Sequence, residues 1–190
     1  MTKPPSYFFP KRYADFVQRL RVAGGFLLLF AFAMFAQPSP TSLAVGVPVS
    51  LAGLCLRAWA AGHLAKDRSL AVSGPYAYLR NPLYAGTLIT ALGLLIGARN
   101  IWLAVFFVLV FLLVYLPAVE LEEQHLREIF PEYGFYAARV RRFLPGRSYA
   151  ASALRFSRAL YLKNEEYKAA LGWLIAVVWL LWRCGRRALL

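Results

Sequence analysis

Acidic residues are the scarce charge in this chain: 9 Asp and Glu stand against 22 Lys and Arg in 190 residues, a formal charge of +13. A surplus of this sign suits a polyanion. The basic residues flank apolar runs and form no separate soluble face, however, so anionic lipid headgroups and not nucleic acid are the expected partner. Cysteine is limited to Cys55 and Cys184, which have neither the spacing of a metal site nor an evident pairing, and both are read as structural. His63 and His125 are isolated and close to the expected membrane interface, where they are read as surface residues; no metal site is expected. Also missing are a Walker loop, a G-x-G-x-x-G after a strand, an H-E-x-x-H and a G-x-S-x-G. Nucleotide hydrolysis, soluble dinucleotide binding, zinc proteolysis and serine hydrolysis therefore lack their parts. No A-x-A-like cleavage site follows the first apolar run, so that run is expected to stay in the membrane.

Apolar residues, by contrast, are abundant. They make up 60% of the chain, with 14 Phe, 11 Tyr and 5 Trp, more than its own polar surface can cover. The expected fold is an all-α polytopic membrane bundle of four to five transmembrane helices, a single domain over residues 1–190. Residues 1–21 mix aromatics with Lys11, Arg12, Arg19 and Arg21, the pattern of an interfacial N-terminal helix that anchors without spanning. Four spans are placed within residues 22–119: Val22 to Ala36, Leu43 to Ala61, Pro82 to Ala98 and Ile101 to Val119. Ala44, Gly46, Ala52 and Gly53 in the second span would let helices approach closely. Arg57, near its far end, either snorkels to the interface or faces a polar cavity. The turn Gly97-Ala98-Arg99-Asn100 makes the last two spans an antiparallel hairpin.

Loop charges orient the bundle. The N-terminus, the loop from His63 to Arg80 and everything after Val119 are rich in Lys and Arg, while the other two turns hold only Arg99. The basic parts are expected to face the cytoplasm, which brings residues 62–81 and 120–146 to one side of the membrane. Residues 120–130 read as an amphipathic helix ended by Pro131. Residues 147–190 form a C-terminal extension whose apolar run, Ala169 to Trp182, is expected to be interfacial or re-entrant. Crossing would carry Arg183, Arg186 and Arg187 to the side opposite the other basic segments.

The chain is organised around Ser73-Gly74-Pro75-Tyr76-Ala77-Tyr78-Leu79-Arg80-Asn81-Pro82-Leu83-Tyr84-Ala85-Gly86. Two proline turns predict a helix beginning at Pro82. Arg80 and Asn81 then lie beside its free N–H groups, where an anion is favoured; alternatively Asn81 only caps the helix and Arg80 snorkels to lipid phosphate. Glu120, Glu122 and Glu123 stand where the fourth span leaves the membrane. One of them facing the pocket would bind a cationic or amine-bearing group, while the donors from Arg80 to Tyr84 hold an anionic one, a combination suited to a zwitterion. Glu122 and Glu123 lie about 100° apart on a helix, so one of the two faces inward.

This stretch, with Glu122-Glu123-x-x-Leu126-x-x-x-Phe130 one hairpin later and then Tyr133, Tyr136 and Val140-x-Arg142-Phe143-Leu144-Pro145, resembles the isoprenylcysteine carboxyl methyltransferase family, whose wider relatives are the membrane phospholipid N-methyltransferases. The resemblance covers residues 50–146 and implies a membrane enzyme that binds S-adenosylmethionine in a cytoplasm-facing pocket, roofed by residues 120–146, and methylates a lipophilic small molecule arriving from the bilayer. It implies cofactor contacts from Arg68, Leu70, Ala71, Tyr76, Asn81, Pro82, Tyr84, Glu122 and Glu123, with Arg80 and Glu123 at the reacting groups. The expected location is the cytoplasmic membrane of a prokaryote. Three departures from the family pattern are Asn81 where many relatives carry His, Pro117-Ala118-Val119 where eukaryotic members carry an Arg, and Pro131 in place of a Gly. The first removes a titratable group, and the second weakens the case for a prenylcysteine carboxylate as substrate. An NADPH-dependent membrane reductase and a non-catalytic lipid-binding protein are the other readings.

Overall fold

Among the residues described by the computed structural model, 11–146 and 155–188, nearly everything is helical. Three helices are long and apolar enough to cross a membrane, and two shorter apolar helices accompany them. The first helix, α1, runs Lys11–Phe35 without a break. Residues 11–21 therefore continue the first span and form no separate interfacial helix, because nothing near Val22 breaks the chain; residues 1–10 lie outside the described part.

The second helix, α2, runs Pro40–Ala61, opened by a reciprocal Ser39–Ser42 capping box with Pro40 in the first turn. The third, α3, runs Pro82–Ala98, beginning where the Asn81-Pro82 signal places it. These two helices pack most extensively, antiparallel and backbone to backbone. A Cβ on Gly46 would lie 2.5 Å from the Gly93 carbonyl oxygen, and one on Gly86 would lie 2.8 Å from that of Gly53. Glycine at both crossings permits the approach. Ala44 and Ala52 point outward instead.

Arg99, in the left-handed region at φ 49°, turns the chain into α4, Ile101–Val110. This continues through a π-helical turn, Phe111–Tyr115, into α5, Leu116–Ile129. Pro117 accounts for the irregular turn: it has no N–H for the Leu113 carbonyl. The Tyr13 hydroxyl of α1 donates to that carbonyl instead, at 2.9 Å. One continuous rod thus carries the fourth span directly into the amphipathic segment, with no helix break at Val119.

A short helix α6, Tyr133–Arg139, leads back to the Arg80 stretch, where the Arg80 and Asn81 N–H groups donate to the Arg141 and Arg142 carbonyls at 2.8 and 3.2 Å. After the undescribed residues 147–154, α7 (Arg158–Lys163) is tied to the end of α2 by the Asn164 amide, which donates to the Ala61 and Leu64 carbonyls at 2.9 Å each.

The last helix, α8, runs Tyr167–Ala188 and corrects the interfacial or re-entrant expectation. Its start lies against Arg57, and its far end packs Leu180 against Ala36, Leu43, Ala98 and Leu103 at the opposite end of the bundle. It therefore travels the length of α2. Arg183 is accommodated there because its guanidinium donates to the Ala33 and Met34 carbonyls, at 2.5 and 2.6 Å, at the C-terminal end of α1, where partial negative charge and free acceptors favour a cation.

Candidate active site

At the Arg80 end of the bundle, the loop between α2 and α3, the start of α3, residues 118–126 of α5, and α6 enclose a cavity of about 500 Å³. The loop is shaped locally by Gly74 at φ +57°, where a Cβ would meet the His63 ring at 2.6 Å. His63 is bonded to the Ser73 hydroxyl at 2.9 Å and packed edge-on to Trp59 and Phe156, so it holds the loop and does not reach the cavity wall. Burial holds its pKa below the ordinary value.

Of the residues singled out from the sequence, Leu70, Ala71, Tyr76, Arg80, Asn81, Pro82, Tyr84 and Glu122 line this cavity, and Arg68 and Glu123 do not. The two neighbouring glutamates have different surroundings. Glu122 is exposed, and its carboxylate accepts from the Tyr84 hydroxyl at 3.0 Å, joining α5 to α3 at the cavity wall. Glu123 is buried and serves the frame: it accepts from the Asn81 amide at 2.8 Å and from the Arg142 guanidinium at 3.2 and 2.9 Å, with Arg80 Nε 3.6 Å away. Asn81 makes no side-chain cap on α3; its amide is committed to Glu123. Arg80 does not snorkel, being held in this cluster with a side chain 13% exposed.

Several contributors had appeared in the sequence only as motif letters. Arg142 locks Glu123 from the roof. Tyr136 donates to the Tyr76 carbonyl at 2.7 Å, fastening α6 over the loop. Tyr133 lines the cavity, and burial above all pushes its hydroxyl up to about 12. Burial also raises Tyr76, helped by the negative charge of Glu122. At the wall His125 Nε2 stands 3.6 Å from the Asp67 carboxylate, both about half exposed. Their spacing in the sequence gave no signal of this approach.

Arg57 faces a polar contact and not the interface. It forks onto Glu166 (Nε to Oε1 2.5 Å, Nη2 to Oε2 3.0 Å) and also donates to Thr87, joining α2, α3 and the start of α8 just below the cavity. A bidentate pair of this kind neutralises a charge that would otherwise be costly at membrane depth. No sequence pattern announces a partner more than a hundred residues away.

The chain between Ser50 and Tyr133, which supplies most of this wall, matches a known family. Residues 50–133 match the phospholipid methyltransferase family. The family segment holds the α2–α3 glycine contacts at Gly53 and Gly86, the loop, and both glutamates; the roof residue Arg142 lies beyond it. The chain is similar to the cobalt-zinc-cadmium resistance protein CzcN of Cupriavidus metallidurans, 36% identical over 110 residues, which are 56% of this chain and 50% of that protein. It is also similar to the nickel-cobalt-cadmium resistance protein NccN of Alcaligenes xylosoxydans xylosoxydans, 33% identical over 103 residues, 53% of this chain and 47% of that protein. The chain thus spans about half the length of the curated relatives it matches. No solved structure matches it.

Proposed function

We propose that this protein is a membrane methyltransferase that binds S-adenosylmethionine in the cavity beside Arg80 and methylates a lipophilic small molecule at the cytoplasmic face of the membrane. The observation that carries this reading is the cavity wall itself. Within the family segment it sets an exposed carboxylate, Glu122, near buried cationic and hydroxyl donors, Arg80 and Tyr133, with apolar Leu70, Leu126 and Phe130 beside them.

The residues fit the cofactor. About 500 Å³ lies within the roughly 300–1,000 Å³ usual for such ligands. Glu122 and Tyr84 would hold the ammonium group, and the apolar wall would take the adenosyl part. When bound, the cofactor would supply an electrophilic methyl on sulfonium for transfer to an acceptor lone pair, the C–S electron pair being kept by sulfur. The chain's part is then alignment and exclusion of water. Asn81 offers no titratable group, and Glu123 is already committed to Asn81 and Arg142, so neither serves as general base.

An apolar groove of about 630 Å³ between α3 and α4, lined by Leu88, Leu92, Leu95, Ala104 and Phe107, supports a lipophilic acceptor. Tyr84, Leu88, Leu92 and Leu95 recur at helical spacing, so a hydrocarbon tail in the groove would deliver its head toward the Tyr84–Glu122 bond. The curated relatives are named for metal resistance; among the described residues no group of three His, Cys, Asp or Glu side chains is placed to hold an ion.

The test is incorporation of label from methyl-tritiated S-adenosylmethionine into organic-extractable material by membranes carrying the protein. Label that appears with the protein and is strongly reduced by Glu122→Gln at limiting cofactor is the expected result. Equal label with and without the protein, over a range of lipid extracts, would overturn the reading.

A further inference from the structure

Among the described residues, two buried donors at the cavity have no hydrogen-bond partner: Arg80 Nε and the Tyr133 hydroxyl. Buried polar groups are nearly always paired, since an unmade bond forfeits their hydration. Both residues line the cavity, and Tyr133 is 1% exposed.

The charge around them is unbalanced in the same sense. The charged side chains acting on the Tyr133 hydroxyl are Glu123 and the three arginines Arg80, Arg127 and Arg142. Arg142 already takes Glu123 at 2.9 Å, Arg80 stands farther off at 3.6 Å, and Arg127 lies 5.2 Å over the Tyr133 ring. Around the Tyr133 hydroxyl, one carboxylate among three guanidiniums leaves a positive potential where two donors make no hydrogen bond.

We propose that Arg80 and Tyr133 form an oxyanion subsite that accepts a carboxylate or phosphate oxygen of the bound ligand. This deepens the reading of the cavity given above and rests on it. Arg80 Nε–H and the Tyr133 O–H donate to the same anionic group, while the Arg80 backbone is held by the Arg141 carbonyl at 2.8 Å and Glu123 stands beside its side chain. Burial keeps the Tyr133 hydroxyl protonated, so it remains a donor throughout the neutral range. Glu122, on the Tyr84 side, takes the cationic group. Two ligands could supply the oxyanion: the cofactor through its α-carboxylate, and the acceptor through an acidic head.

The decisive variant is Tyr133→Phe, which removes one oxygen and keeps the ring packed against Tyr136. Because that oxygen has no partner among the described residues, the purified full chain should melt at the wild-type temperature or above. Three probes are then titrated: S-adenosylhomocysteine, which has the carboxylate; methylthioadenosine, which lacks the amino-acid end; and phosphatidic acid in mixed micelles. The subsite predicts a loss of about tenfold to a hundredfold for an oxyanion-bearing probe, with methylthioadenosine unaffected. Loss for S-adenosylhomocysteine identifies the cofactor's carboxylate, and loss for phosphatidic acid alone identifies the acceptor's head.

Wild-type-like binding of all three probes by Tyr133→Phe overturns the subsite and leaves the methyltransferase reading standing. So does a lowered melting temperature with all probes weakened together, since the hydroxyl would then be structural. If the wild type binds neither adenosyl compound but binds phosphatidic acid through the Tyr133 hydroxyl, the subsite stands and the methyltransferase reading fails.

Discussion

Replacing Glu123 by Gln is expected to destabilise the fold by about 2–3 kcal/mol, whereas the same change at Glu122 spares the fold and weakens the ligand. The Glu123 side chain is 4% exposed and faces Arg142 and Arg80, whose side chains are 35% and 13% exposed. Removing the negative member of a buried cluster leaves its cations uncompensated, typically at about 3–5 kcal/mol; the exposure of Arg142 and the acceptor retained by Gln reduce this to the lower figure. For a chain of this size the loss corresponds to a fall in melting temperature of about 4–12 °C. Glu122 is exposed and holds the Tyr84 hydroxyl at 3.0 Å, so its neutralisation should cost well under about 1 kcal/mol of stability. It would remove a charge-assisted partner for the cofactor's ammonium, worth about 1.5–3 kcal/mol, or roughly tenfold to a hundredfold in affinity. Thermal unfolding in detergent and titration with S-adenosylhomocysteine separate the two effects. Equal melting temperatures for both variants, or undiminished binding by Glu122→Gln, would refute the division of roles.

Elsewhere, Gly86→Ala places a Cβ 2.6 Å from Arg57 Cγ and 2.8 Å from the Gly53 oxygen, and should destabilise by about 1–3 kcal/mol; Gly134→Ala, with nothing within 4 Å, is the matched control in the same melting experiment. Arg57→Met leaves Glu166 buried and unpaired and should cost about 3 kcal/mol, whereas the double replacement Arg57→Met/Glu166→Met should recover most of it in a double-mutant cycle of melting temperatures. Stability should fall as pH rises from 10 toward 12, because the unfolded chain loses the Tyr133 proton first and the folded chain keeps it; Tyr133→Phe should flatten that slope. On the acid side, the lowered pKa of His63 means the unfolded chain binds the proton first, so stability should decline as pH drops below 6.5, and less so in His63→Gln.

Local grammar was the legible part of the chain. Asn81-Pro82 announced the start of α3, Gly97 to Asn100 the turn into α4, and the basic loops the end of the bundle where the cavity lies. Where partners lie far apart in sequence, the residues alone were mute: Arg57 with Glu166, Tyr13 with the carbonyl that Pro117 leaves free, and Arg183 with the end of α1. The last of these explains why α8 travels the bundle against the charge bias, since helix-end carbonyls accept the arginine that the positive-inside rule would hold back. Helical spacing established that Glu122 and Glu123 diverge, but choosing between them needed the positions of Asn81 and Arg142.

The most direct test of the cavity as the cofactor site is ultraviolet cross-linking of methyl-tritiated S-adenosylmethionine to the purified full chain, followed by peptide mapping. Saturable label within residues 64–84 or 118–136, displaced by S-adenosylhomocysteine and requiring higher cofactor concentration in Glu122→Gln, is the predicted result. Label confined to other peptides, or label that neither saturates nor is displaced, would contradict it.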